Sequence, residues 1–280
     1  MNNYIENFKQ DAEKVVEMSQ PELLLEKARI TLDEEIKPPP PVIQVDNLCA
    51  KPVTIMTEGN ISVIQGKAKA RKSFAIAMLT AASLSDSWIY KKFRSIPKKW
   101  VVYFDTEQSS FYVQQAYYRI FQMSNGEGVN ERFFCYGLRP YNPSERLELI
   151  DWVFSNMKGI GLVIIDGVRD LIKDINSPDE STMISSKLLK WSEQSGAHIL
   201  TVLHENPKDG KLRGHIGTEL MNKAETILRV EKLEEDKTVS KIKCEMVRGL
   251  DFDPIYFTIN NNIPEVLPNY EEMSGTNNFG

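Results

Sequence analysis

Short apolar runs alternate along this chain with longer stretches in which apolar residues recur every third or fourth position. Runs of the first kind suit strands buried on both faces. The second kind suits amphipathic helices, and their alternation marks βα units on a largely parallel sheet. The pattern predicts strands at Ile61–Gln65, Trp100–Phe104, Phe133–Tyr136, Leu162–Ile165 and His198–Leu203. Helices are expected between them at Ser73–Leu84, Tyr112–Gln122, Pro143–Met157 and Glu180–Gln194. Ile227–Lys232, Lys241–Val247 and Ile255–Ile259 read as antiparallel strands that extend the sheet at its C-terminal edge.

The N-terminal region has a different pattern. From Asp11 to Glu35, apolar residues lie among acids and lysines at helical spacing, broken by Pro21, which predicts one or two helices outside the core. Pro38 to Pro41 favour an extended segment that cannot continue a helix. The expected organisation is a helical extension over 1–37, a proline-rich linker over 38–59, an α/β domain over 60–263 and a polar tail without fixed structure over 264–280.

Composition narrows the picture. Hydrophobic residues make up 41% of the 280 and charged residues 26%, as in a globular protein able to bury a large core. No apolar run is long enough for a membrane span, and Met1 to Gln20 is polar and acidic, so a cytoplasmic location is expected. Cys49, Cys135 and Cys244 form no CxxC pair, which argues for buried thiols rather than a zinc site or disulfides. The formal charge of −5 gives no global attraction to nucleic acid, so any such contact needs a local basic loop.

The candidate chemistry begins after the first predicted core strand. Gly66-Lys67-Ala68-Lys69-Ala70-Arg71-Lys72-Ser73 joins that strand to a helix, the context a phosphate-binding loop requires. Loop amides, continuing to Phe74, would cradle the phosphates of ATP. Lys72 would reach the β- and γ-phosphates, and the Ser73 hydroxyl would bind Mg²⁺. Arg71 stands where such loops usually carry glycine. It either strains the backbone by roughly 1–2 kcal/mol or turns outward as an additional cation near the phosphates.

Two later strands end in acids. Asp166 closes Leu162–Ile165 and suits the water shell of Mg²⁺. Asp105-Thr106-Glu107 follows Trp100–Phe104, and Glu107 suits the orientation or deprotonation of an attacking water, with Asp105 as its rival. The plainer readings are a helix cap for Asp166 and a helix-start acid for Glu107.

These motifs, with Leu203-His204-Glu205-Asn206 at a fourth strand end, resemble the RecA-like ATPases, and within them most resemble the hexameric replicative helicases of the plasmid RepA type and related mobile-element ATPases. The resemblance spans about Asn60 to Ile259. It implies a RecA-like core, ATP hydrolysis with Mg²⁺, and a homo-oligomeric ring acting on single- or double-stranded DNA. Lys72, Ser73, Glu107 and Asp166 match the family's functional positions, whereas Arg71 departs from its commonest loop.

The resemblance assigns three further roles. His204 would sense the γ-phosphate, against the alternative of an ordinary polar strand end. Pro207 to Gly217, rich in glycine and cations, reads as a mobile loop in which Lys208, Lys211 and Arg213 would grip a phosphate backbone, or else as a solvated surface loop. Arg248 would be a finger reaching a neighbour's γ-phosphate, or else a turn cation. Arg169 and Asp170 are expected to form a local salt bridge. Three functions follow: a DNA-associated ATPase motor, a nucleotide-dependent switch that binds a partner protein, or a degenerate scaffold. The pairing of Glu107 with Asp166 argues against the last.

Overall fold

The structure is a computed structural model that describes residues 19–47, 51–96, 99–206, 210, 212–268 and 270. The chain divides into two compact units, Met1–Pro38 and Pro39–Gly280. In the first unit, Gln20–Ala28 forms helix α1, and none of its residues is buried. Pro21 does not interrupt this helix. It sits in the first turn, where its missing N–H is no loss, beside the Ser19 hydroxyl and amide that donate to Glu22 Oε2, each at 2.7 Å. Residues 1–18 of the predicted extension lie outside the described residues.

The second unit opens with strands β1 (Pro41–Val45), β2 (Val53–Thr57) and β3 (Ile61–Gly66), then helix α2 (Lys72–Leu84). Next come β4 (Phe93–Ser95), β5 (Trp100–Asp105), α3 (Ser110–Met123), α4 (Val129–Arg132), β6 (Phe133–Gly137), α5 (Pro143–Asn156) and β7 (Ile160–Asp166). The chain continues through α6 (Pro178–Ser195), β8 (His198–His204), α7 (Gly214–Lys223), β9 (Thr226–Lys232), β10 (Ser240–Val247), β11 (Ile255–Asn260) and β12 (Ile263–Val266).

Nine strands form the main sheet in the order β12-β11-β10-β9-β3-β8-β7-β5-β6. The run from β9 to β6 is parallel and the run from β9 to β12 antiparallel, as the sequence pattern predicts. Side chains of the central strands alternate between two apolar clusters. Val101, Tyr103, Leu162 and Ile164 pack on the side of α2, while Val102, Phe104, Val163 and Ile165 pack with residues of α5, α6 and α7. Helix α2 is apolar nearly all round and is buried along most of its length, which fixes the loop before it against the sheet.

The structure corrects three sequence-based expectations. Residues 41–57, expected within a linker, supply two strands of a second antiparallel sheet, β2-β1-β4, whose buried Val42, Ile43 and Val45 join the α2-side core. The alternation there is too short to stand out beside the prolines. The main sheet also runs past residue 263 through β12, which pairs Phe257 with Val266. Finally, the predicted mobile loop ends early, because Gly214 to Gly217 begin α7. Ile216 and Leu220 bury the inner face of that helix, and Gly217 lets Leu212 approach to where a Cβ would lie 2.6 Å from its carbonyl carbon.

Cys135 and Cys244 are half-buried rather than fully buried, and burial pushes both thiols up to about 12; Cys49 lies outside the described residues. Among the described residues, no helix is long and apolar enough to cross a membrane.

Candidate active site

Parallel register gathers the predicted residues at one edge of the sheet. Gly66 pairs with His204, Val202 with Asp166, and Asp166 with Asp105, so the ends of β3, β8, β7 and β5 stand side by side. Ligands of open parallel sheets bind at this carboxyl edge. One groove there is lined by Lys69 to Phe74 from the loop and by Glu107, Gln108, Asp166 and His204. Lys67 and Ala68 lie exposed just before this stretch.

The loop owes its shape to close packing at both ends. A Cβ on Gly66 would lie 2.2 Å from the Val230 carbonyl oxygen of β9, so only glycine fits. Ala70 is buried and its N–H bonds to the Lys67 carbonyl at 3.2 Å. Arg71 holds the left-handed conformation, φ 76° and ψ 28°, immediately before α2. Its guanidinium is engaged by the β9–β10 hairpin rather than left free in the groove. It donates to the carbonyls of Thr238 (2.6 Å) and Lys237 (3.3 Å) and to Ser240 Oγ (3.3 Å), which pins the loop to the β9–β10 hairpin. Phe74 turns its ring to Arg119, whose Cζ lies 4.0 Å from the ring centroid. Arg119 in turn donates to the carbonyl and side-chain oxygens of Asn262.

Lys72 opens α2 with its side chain folded over the loop. Its Nζ donates to the carbonyls of Gly66 (2.9 Å) and Lys67 (3.0 Å) and lies 3.0 Å from His204 Nδ1. Burial holds its pKa below the usual lysine value, against the raising pull of Asp166, Glu107 and Glu205. An ammonium can only donate, so Nδ1 of His204 accepts and its proton sits on Nε2. That atom is 3.8 Å from Glu107 Oε2. His204 therefore stands between the loop lysine and Glu107. Its imidazole is the main cause holding the Glu107 carboxyl below its ordinary value, with Lys72 and Arg169 adding to it.

The two strand-end acids differ in their freedom. Asp105 is fully buried and its carboxylate is occupied, accepting from the amides of Glu107 (3.0 Å) and Gln108 (2.7 Å) and from Gln108 Nε2 (2.7 Å). It builds the turn that presents Glu107, which corrects its place as a rival. Asp166 is raised to about 7 by burial and by the neighbouring Asp105 charge, while the Tyr103 hydroxyl donates to it at 2.9 Å. A divalent cation would restore its charge.

Ser73 and Asp166 line the same groove, and no cluster of three or more His, Cys, Asp or Glu ligands occurs among the described residues. That donor set fits Mg²⁺, which keeps most of its water and takes few protein oxygens beside substrate phosphates.

Thr106 was not singled out in the sequence, yet it ties the two acidic strand ends together. Its hydroxyl donates to Asp170 Oδ2 at 2.9 Å and accepts from the Gly167 amide at 3.0 Å. A hydroxyl between two strand-end acids was the available signal. Arg169 and Asp170 form the expected ion pair at 3.3 Å.

Arg213, expected to grip a phosphate backbone, is exposed. It lines a second cavity beside Glu107, Asp166 and His204, because its backbone N–H bonds the His204 carbonyl at 3.2 Å and starts α7 there. Lys208 and Lys211 lie outside the described residues. Arg248 lies at the opposite end of the sheet, its N–H on the Glu225 carbonyl at 2.9 Å, next to the pairing of Val247 with Thr226. Thr226 pairs with Ser62, roughly 13 Å of strand from Gly66. Arg248 therefore does not reach the loop of its own chain.

No protein-family model matches the sequence, and no curated protein is significantly similar to it. Among solved structures, the crystal structure of the RadB recombinase is similar, with a TM-score of 0.55, 16% identity, and coverage of 76% of this chain and 92% of that one. At that identity the likeness establishes architecture alone: the chain has a RecA-like α/β fold, with a mostly parallel central sheet, flanking helices and antiparallel edge strands.

Proposed function

We propose that this protein binds ATP with Mg²⁺ at the loop from Gly66 to Phe74 and hydrolyses it. The observation that carries this reading is the convergence of Lys72, Ser73, Glu107, Asp166 and His204 on one groove at the carboxyl edge of the parallel strands. Lys72 has an ammonium to offer the β- and γ-phosphates, and the N–H groups that open α2 face outward from the helix start. Ser73 and Asp166 hold the cation, which neutralises phosphate charge when bound. Glu107, kept ionised beside His204, is the base that orients the attacking water, and Asp105 and Thr106 fix its turn. His204 touches both the lysine and the base, a position from which a change at one reaches the other.

The work driven by hydrolysis is, on this reading, movement on DNA by a homo-oligomeric ring resembling the RepA-type helicases. The motif resemblance supports it, and so does the similarity in fold to a protein titled a recombinase. Arg248 is out of reach of its own loop, which leaves the finger role only toward a neighbouring subunit; within its own chain its guanidinium donates to the Lys223 carbonyl at 3.4 Å. The retained left-handed angle at Arg71 favours an active loop over the switch reading, because the backbone shape glycine would provide is present. The test is binding of a fluorescent ATP analogue with Mg²⁺, and its hydrolysis with and without single- or double-stranded DNA. Loss of binding in Lys72→Ala with wild-type folding supports the site; unchanged binding removes it.

A further inference from the structure

The groove at the phosphate loop does not end at Glu107. A second cavity adjoins it, sharing Glu107, Asp166 and His204 in its lining and adding Arg169 and Arg213. Neither arginine was placed in the nucleotide site by its sequence position. Arg169 is 54% exposed and spends one nitrogen on Asp170, while no hydrogen bond or ion pair engages the Arg213 guanidinium among the described residues. Arg213 is itself exposed to solvent, so its guanidinium is open to an anion that enters this cavity.

The proposed hydrolysis supplies one, and the inference rests on that reading. The water oxygen bonds to the γ-phosphorus on the side of Glu107, and the bond from that phosphorus to the bridging oxygen breaks on the side of Lys72. One proton of the water goes to Glu107. The products are ADP on the loop and orthophosphate on the side of Glu107. In-line displacement moves the phosphorus toward the attacking water, and Glu107, which would hold that water, also borders the second cavity.

We propose that this second cavity is a binding site for the orthophosphate released by hydrolysis, held by the guanidinium groups of Arg213 and Arg169. Arginine forks match phosphate oxygens in pairs. Glu107, Asp166 and Asp170 line the same space and oppose a dianion, so the site suits brief retention and departure rather than storage.

The experiment is calorimetric titration of orthophosphate into the full chain loaded with MgADP, for wild type, Arg213→Gln and Arg169→Gln, with ADP affinity measured alongside. The expected result is phosphate binding by wild type that weakens about tenfold in Arg213→Gln, the loss of one strong pair of hydrogen bonds, while ADP affinity stays within about twofold. Phosphate binding that is absent in wild type, or equal in all three proteins, with ADP bound normally, overturns this site and leaves the ATPase reading intact. Failure of the wild type to bind ADP overturns the ATPase reading itself, and this inference with it.

Discussion

Replacing Arg71 separates two opposing effects at the phosphate loop. Its left-handed backbone, φ 76°, costs about 1 kcal/mol more for a residue with a Cβ than for glycine. Against this stand three hydrogen bonds to the β9–β10 hairpin. Partly exposed, they contribute together about 2 kcal/mol. Arg71→Ala loses the hydrogen bonds and keeps the strain, so it should destabilise by about 2 kcal/mol. Arg71→Gly loses the same bonds and relieves the strain, so it should destabilise by only about 1 kcal/mol. In a domain of this size 1 kcal/mol moves Tm by roughly 2–4 °C, and equilibrium urea unfolding resolves the order wild type, Gly variant, Ala variant. An Ala variant as stable as wild type would refute the anchor to the hairpin. A Gly variant less stable than the Ala variant would refute the left-handed backbone.

Other consequences follow from the same geometry. Gly66→Ala forces a Cβ against the Val230 carbonyl and should cost about 2–3 kcal/mol by urea unfolding; a neutral effect would refute the close approach of loop and β9. Thr106→Val removes the hydroxyl that fixes the turn before Glu107, so turnover should fall about tenfold with nucleotide affinity unchanged. A loss of affinity with constant turnover would contradict that positioning role. His198 is fully buried against the Thr57 carbonyl, and burial lowers it to about 4 from 6.5. The folded chain refuses a proton that the unfolded chain accepts, so stability present above pH 6.5 is lost progressively as pH falls toward 4, by about 3 kcal/mol at most. Glu225, 3.4 Å away and raised by its own burial, works in the opposite sense just above 4.5. Urea midpoints of His198→Gln should show a flatter acid limb; an unchanged slope would remove His198 as its cause.

The fold was legible wherever burial was two-sided and long. The central strands announced themselves as apolar runs, and the loop from Gly66 to Ser73 stood out because its residue types and its strand-to-helix context agree. Strands β1, β2 and β4 were missed because such short antiparallel segments carry little period of their own, and β1 begins within a run of four prolines. Helix α7 was hidden by glycines that serve close approaches, Gly214 to Ile175 and Gly217 to Leu212, rather than loop freedom.

At the site, residue types pointed to Lys72, Glu107, Asp166 and His204. The division of labour between Asp105 and Glu107 depended on hydrogen bonds from amides two and three residues on, which no spacing reveals. The anchoring of Arg71 depended on a hairpin about 167 residues away in sequence. Arg213 faces the acids only because its amide caps the end of β8.

The central claim is an ATP-hydrolysing site built on Lys72 and Glu107. ATP turnover with and without single-stranded DNA, for wild type, Lys72→Ala and Glu107→Gln, tests it most directly. The account predicts turnover that DNA stimulates in the wild type, loss of both binding and turnover in Lys72→Ala, and loss of turnover with ATP still bound in Glu107→Gln. Turnover that survives both substitutions would contradict it.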